Sequence, residues 1–229
     1  MRRLHITAEG QTEESFVKKV LVDHLGNYDI STDVRCVLTS KDKHRSDIQH
    51  RGGLINYEKA KNDIKQWLKE ESNNNNVFFT TMFDLYALPP DFPGFEGARR
   101  KNNSYEKVKV LEDAFANDIN DYRFIPYIQL YEFETLLFSC PQKFEIEYFN
   151  SQKEIDILQT IVEEKGNPEL INDGLETAPS KRIIKVFPDY ANNKPAIGSM
   201  VAQEIGLDRL KQSCKHFAEW VEKLESLCK

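Results

Sequence analysis

Apolar and polar positions along the chain follow two alternating periods. Leu4-His5-Ile6-Thr7-Ala8 steps by two, as a strand does; Glu9-Gly10-Gln11-Thr12-Glu13 breaks the step, and Phe16, Val17, Val20, Leu21 and Leu25 recur at helical spacing. This predicts strand, tight turn and helix, with Thr12 as the N-cap and Gly26 closing the helix. Residues 33–38 are β-branched and apolar enough for a second strand. Residues 39–53 are polar and basic, carrying Lys41, Lys43, His44, Arg45, His50 and Arg51 before Gly52-Gly53, and read as a long surface loop, which is uncommon unless functional or mobile. Leu54, Tyr57, Ala60, Ile64, Trp67 and Leu68 mark an amphipathic helix. Val77-Phe78-Phe79-Thr80-Thr81-Met82-Phe83 is almost continuously apolar, the pattern of a strand buried on both faces, and it ends at Asp84.

Pro89, Pro90, Pro93, Gly94 and Gly97 then impose an irregular segment that closes on Arg99-Arg100-Lys101. A helix is predicted over 105–119 and a buried strand over 124–130; Tyr131-Glu132-Phe133-Glu134 follows, and a helix starts within 135–138. Beyond Pro141, helical patterns at 152–164, 179–186, 197–204 and 207–227 succeed one another without a strand. The chain therefore reads as α/β: a mostly parallel sheet flanked by helices over residues 1–141, with a helical C-terminal region, 142–229, packed on it, and no internal repeats.

Composition narrows the class. With 229 residues, 40% hydrophobic and 30% charged, the chain is globular, and at this length it buries roughly 70% of its unfolded surface without needing staples. The four cysteines form no C-x-x-C pair, so reduced thiols in a cytoplasmic protein are the simplest account. No apolar run approaches the ~20 residues of a membrane span, and Met1-Arg2-Arg3 leads into a strand rather than a signal-peptide core. A net charge of −6 argues against a general nucleic-acid coat protein, though not against a nucleic-acid enzyme with a local basic patch.

In a parallel sheet of βαβ units the ligand site lies outside the carboxyl ends of the strands. Glu9 with Glu13, Asp84, and Glu132 with Glu134 all follow predicted strands, so a parallel sheet would bring them together from more than a hundred positions apart. Gathered carboxylates repel unless a proton or cation intervenes, and an oxygen-only ligand set favours Mg²⁺ or Mn²⁺. Each acid also has a plainer role. Glu13 suits the first turn of a helix, and Asp84 suits a cap on the loop after its strand. Glu9 beside Gly10 has no capping role. Glu132 and Glu134 share a face on a strand and diverge by ~200° on a helix, so one of the two points into the site.

These segments have a family resemblance. E-G-Q-T-E at Glu9 to Glu13, an Asp after a central apolar strand and a later acidic cluster resemble the Toprim domain of topoisomerases, primases and OLD-type nucleases. More closely, the whole chain resembles the Toprim-like domain-of-unknown-function family 4276. That resemblance is carried by M-F-D-L-Y-A-L-P-P-D-F-P-G from Met82, R-F-I-P-Y-I-Q-L-Y-E-F-E-T-L-L-F from Arg123, G-N-P-E-L-I-N-D-G from Gly166, T-A-P-S-K-R from Thr177 and C-K-H-F-A-E-W from Cys214. The Toprim resemblance implies divalent-metal chemistry on phosphodiesters. Glu9 corresponds to the strand-end glutamate and Asp84 to the first Asp of an Asp-x-Asp motif, while Tyr86 occupies the place of the second Asp. One ligand is thereby lost unless Glu132 or Glu134 supplies it.

A phosphate also needs cationic or amide groups. Lys181 and Arg182 at a predicted helix start after Pro179-Ser180 make the best cradle; Lys194 in an Asn-Lys-Pro loop and Arg99-Arg100-Lys101 are further candidates. The leading expectation is thus a Mg²⁺- or Mn²⁺-dependent nuclease of Toprim type. Glu9, Glu13, Asp84 and Glu132 or Glu134 hold the ion, and Lys181 or Arg182 stabilises the transition state. By resemblance it acts on DNA or RNA beside an ATPase partner in an anti-phage defence system. The alternative is a non-catalytic regulatory or sensor subunit of such an ATPase complex, supported by Tyr86. A two-carboxylate glycosidase is weaker, because nothing marks an aromatic sugar platform or a protonated carboxyl.

Overall fold

The computed structural model describes residues 1–41, 49–51, 54, 56–172 and 174–228. β1 (Arg2–Ala8) leads through Glu9 and Gly10 into α1 (Gln11–Phe16), which runs on through a π-helical turn at Val17–Leu21 into α2 (Val22–Gly26). Gly10, in extended conformation, is the N-cap, and Thr12 already lies inside the first turn. Gly26 is the last helical residue; the left-handed position of the turn is taken by Asp29, at φ 57°.

β2 (Ile30–Cys36) lies parallel to β1. It is followed by an antiparallel ribbon, β3 (Leu38–Lys41) with β4 (Gln49–Arg51), where the composition predicts only loop. Paired backbone supplies an order there that polar side chains do not signal. Lys43, His44, Arg45, Gly52 and Gly53 lie outside the described residues. α3 (Tyr57–Glu70), capped by Asn56 Oδ1 accepting the Lys59 N–H at 3.0 Å, precedes β5 (Val77–Asp84). Within the Pro- and Gly-rich stretch a short α4 (Phe95–Arg99) forms, then α5 (Ser104–Ile119). Gly94 opens α4 at φ 80°, and a β-carbon there would lie 2.8 Å from that of Ala114, so only glycine lets this loop cross α5 so closely.

The strand expected over 124–130 is interrupted: β6 (Phe124–Ile125) and β7 (Ile128–Gln129) both pair with β5. The sheet runs in the order β2-β1-β5-β6, with β7 also on β5, and every pairing is parallel. The chain passes from β1 outward to β2, then back across β1 to β5. Strand order therefore reverses between β1 and β5, which opens a crevice beyond their carboxyl ends.

Alternation along β5 sends neighbouring side chains to opposite faces. Met82 joins one buried cluster with Leu4, Ile6 and Phe16, while Val77, Phe79 and Phe83 join a second with Ile64 of α3 and Phe115 of α5. The first cluster extends into α6 (Gln152–Lys165), α7 (Pro179–Val186), α8 (Tyr190–Ile205), α9 (Leu207–Ser213) and α10 (Lys215–Glu225), so the C-terminal helices cover one face of the sheet. Among the described residues no helix is long and apolar enough to cross a membrane, and no disulfide joins any of the four cysteines.

The helix predicted over 207–227 is two helices because its middle is capped from elsewhere. Glu169, fully buried, accepts the His216 N–H through Oε2 and the Phe217 N–H through Oε1, each at 3.0 Å, and the Tyr105 hydroxyl at 2.9 Å. A carboxylate on the first amides of α10 is stabilised by the helix dipole and satisfies donors that have no partner inside the helix. The G-N-P-E-L and C-K-H-F-A-E-W segments, distant in sequence, are thus two halves of one cap. Glu169→Ala leaves three donors without their acceptor, one of them fully buried, and is expected to lower unfolding stability by roughly 2–5 kcal/mol in urea titrations, whereas an unchanged midpoint would remove the cap from the account of this half of the fold.

Candidate functional site

Register places the acids. Ala8 lies opposite Met82, and Asp84 opposite Gln129, so three chain segments leave the sheet side by side at its carboxyl edge. The Glu9 N–H donates to Met82 O at 3.0 Å, and Glu9 Oε2 in return accepts the Asp84 N–H at 2.9 Å, tying β1 to β5 across the reversal in strand order. Glu13 reaches back from the first turn of α1, its Oε2 accepting the Gly10 N–H at 2.9 Å. It therefore caps its own helix while its carboxylate, 6% exposed, stays in the crevice. Asp84 Oδ1 is buried and has no hydrogen-bond partner among the described residues.

Glu132 and Glu134 arrive by a reversal at Tyr131, whose φ of 61° is rare for a side chain of this size. The segment continues as a 3₁₀ turn, Phe133–Ser139, where helix was expected. Both acids face the cluster, in different surroundings. Glu132 Oε2 accepts the Ser180 N–H at 2.8 Å, at the start of α7. Glu134, 3% exposed, accepts the Tyr190 hydroxyl at 3.4 Å and pairs through Oε1 with Lys194 Nζ at 3.1 Å. Tyr190 reaches it because α8 carries Gly198 at the crossing with α1: a β-carbon there would lie 2.9 Å from the Tyr190 hydroxyl and 3.1 Å from Phe133 Cε1.

The cluster is under-neutralised. Burial, then the charge of Glu13, pushes the Glu9 carboxyl up to about 8, against the opposing Asp84 N–H, with Glu132 and Glu134 adding to the rise. Burial and Glu134 raise Glu13 to about 7, opposed by its own N–H, the Gly10 N–H and Lys194. Asp84 is held well above the ordinary carboxylate range by burial, then Glu13, Glu9 and Glu134; the Phe133 N–H only partly offsets this. Glu134 is raised by burial and Glu132 in spite of Lys194. Lys194 is itself raised, because Glu134, Glu132 and Asp84 outweigh its desolvation.

The cations settle differently from expectation. The amide at the N-terminus of α7, read as a phosphate cradle, is taken by Glu132. Lys181 is exposed, and Arg182 turns back on its own loop, its Nε donating to Thr177 O at 2.8 Å. Lys194, expected in a loop because of the adjoining Pro195, lies inside α8 at a kink marked by Asn193 (φ −123°, ψ 15°). Gly198 carries no mark in the sequence beyond its place in a helical stretch, and Tyr190 falls between the helices expected over 179–186 and 197–204. Tyr86 donates its N–H to Tyr131 O at 3.0 Å, and the two rings pack with centroids 5.5 Å apart.

Five carboxylates from three segments, with one buried oxygen that has no partner among the described residues, make an oxygen-only donor set, the ligand type that hard divalent cations prefer. Among the described residues, no group of three or more His, Cys, Asp or Glu side chains is placed so that it could hold a metal ion. A family model described as a domain of unknown function, DUF4276, matches residues 8–225. No curated protein and no solved structure matches the chain.

The raised carboxyls set a pH dependence. A Glu whose folded-state value is about 8, against 4.5 as the reference, binds more protons folded than unfolded between those limits, so its contribution to stability falls as pH rises through that window. Glu9→Gln keeps the acceptor for the Asp84 N–H and removes the charge. It is expected to match wild type near pH 5 and to melt higher at pH 8.5, by roughly 2–8 °C for about 1–2 kcal/mol of relieved repulsion. A variant that melts lower at pH 8.5 would make Glu9 a structural residue.

Proposed function

The chain belongs to the DUF4276 family, and on that premise we propose that it is a metal-dependent phosphodiester hydrolase of Toprim type, a nuclease that takes Mg²⁺ or Mn²⁺ at the carboxyl edge of the β1–β5 crevice. The observation that carries this reading is the buried Asp84 Oδ1, without a partner among the described residues, set among carboxyls whose protonation is favoured by burial and by one another's charge. Glu9 and Asp84 would hold the ion, with Glu13, Glu132 and Glu134 supplying further oxygens. A bound divalent cation supplies Lewis-acid charge and a nucleophile at neutral pH. Lys194, paired with Glu134, brings positive charge to the opposite wall, and binding the ion would release the protons that the raised Glu9 and Glu13 otherwise hold near neutrality. Lys181 and Arg182 lie on α7, beside the Glu132 contact, and suit the flanking phosphates of a longer nucleic acid.

An ATPase partner, a place in anti-phage defence and a cytoplasmic location belong to the same proposal and rest on the resemblance to Toprim nucleases. The second reading, a regulatory subunit without chemistry, is favoured by Tyr86 in the place of an acidic ligand and by its packing on Tyr131.

Calorimetry separates the two. Wild type should bind Mn²⁺ and Mg²⁺, more tightly at pH 8 than at pH 6, with a heat that varies with the ionisation enthalpy of the buffer as protons leave Glu9 and Glu13. Asp84→Asn should weaken binding at least about tenfold, as loss of a charged ligand does, and abolish cleavage of labelled DNA and RNA. If neither ion binds at millimolar concentration, with or without nucleic acid, the regulatory reading replaces this one.

A further inference from the structure

A cavity of about 360 Å³ opens beside the acids and shares two stretches of chain with them. Leu85 and Tyr86, which follow Asp84 directly, line it, and so does Tyr131, which precedes Glu132. A group seated there is therefore one or two residues away from the carboxylates along both walls. The cavity and the acid cluster have opposite chemistry. Leu88 and Leu111 give the cavity an apolar floor, Tyr86 and Tyr131 an aromatic wall, and Asn102 and Lys107 a polar rim; among the described lining residues there is no carboxylate.

Tyr131 is held in place. Its φ of 61° is a strained conformation for a tyrosine, its hydroxyl is 2.6 Å from Ser104 Oγ, and its carbonyl accepts the Tyr86 N–H. The two rings are tilted by 55° with centroids 5.5 Å apart. That is less than the about 7 Å needed to sandwich a base between two faces at the 3.4 Å stacking distance, so the pair offers one aromatic face rather than a slot. Lys107 is half-buried at the rim, and its side-chain ammonium makes no hydrogen bond or ion pair with the described residues.

A flat ring, a hydrogen-bonding edge and an anionic group attached to both are what these surfaces complement together. We propose that this cavity binds the base of an unstacked nucleotide against Tyr86 and Tyr131, with Lys107 on its phosphate, and so selects a single-stranded or flipped-out nucleotide over paired duplex. The proposal rests on the phosphodiesterase reading for what happens at the acids, but not for what the cavity holds. It gives Tyr86 a use: where an acid would add a metal ligand, a tyrosine adds a stacking face. Stacking of this kind tolerates any base, because every base has a π-face.

The test uses the full chain in chelator, so that no metal contributes. Four 5′-mononucleotides, ribose 5-phosphate, a short single-stranded oligonucleotide and a blunt duplex are titrated by calorimetry against wild type, Tyr86→Leu and Lys107→Gln. Mononucleotides and the single strand are expected to bind at least about fivefold more tightly than ribose 5-phosphate and the duplex. Tyr86→Leu should weaken them about 5- to 100-fold, the range of one base–aromatic stack. Lys107→Gln, at the cavity rim, should weaken mononucleotides with the melting temperature unchanged. Mononucleotides that bind no better than ribose 5-phosphate, or no effect of either substitution, overturn the base pocket, and a duplex that binds as well as the single strand overturns the selection for unstacked nucleotides. Metal binding by wild type, measured separately, keeps the two readings apart: it can persist when the base pocket fails, and base binding in chelator can persist when metal binding fails.

Discussion

Carboxylates gathered in a crevice with little water repel one another, and much of the local architecture around the sheet's carboxyl edge acts to contain that repulsion. Backbone amides do part of this. The Asp84 N–H sits on Glu9, the Gly10 N–H on Glu13 and the Ser180 N–H on Glu132. Two of these come from helix starts, where the dipole favours negative charge. One ammonium, Lys194, takes a further share through Glu134. What is left over appears as raised protonation of Glu9, Glu13 and Asp84 and as an oxygen of Asp84 that nothing among the described residues satisfies. A fold that only needed stability could replace these acids with amides and lose the repulsion, so their presence points to use.

The same crevice explains why the C-terminal helices pack where they do. A parallel sheet exposes two apolar faces, and α3 and α5 cover one of them. The other is covered by helices from residues 152–225, which share a buried cluster with β1 and α1. That packing delivers Lys194 and Tyr190 to Glu134, with Gly198 removing the side chain that would hold α8 away. Glu169 pins the last helix by its first amides, so the face that closes over the site is anchored at a point far from it in sequence.

Much of the site was readable from spacing. An alternating strand that ends in Glu9-Gly10, an apolar strand that ends in Asp84 and a later strand followed by Glu132 and Glu134 imply convergence once the sheet is parallel, because all such strands point their carboxyl ends the same way. The errors were local and have physical causes. Thr12 has the better capping side chain, yet Gly10 caps, since Glu13 supplies the oxygen from within the helix. Pro195 suggested a loop at Lys194, yet the helix continues through a kink because its flanks are buried. Ser180-Lys181-Arg182 looked like a free anion cradle, yet an internal carboxylate already occupies it.

The sequence by itself determined the periodicity, the class of fold and the positions of acidic residues at strand ends, because these depend on neighbours a few residues away and on the common direction of parallel strands. Only the tertiary structure decided how Glu132 and Glu134 divide their roles, which lysine meets the acids, and that Tyr86 and Tyr131 share a wall. Those outcomes depend on the left-handed turn at Tyr131 and on the approach of α7 and α8, contacts between segments some 45 to 60 residues apart. Packing between distant segments leaves no periodic trace in any one of them, so it becomes visible only when the chain is folded.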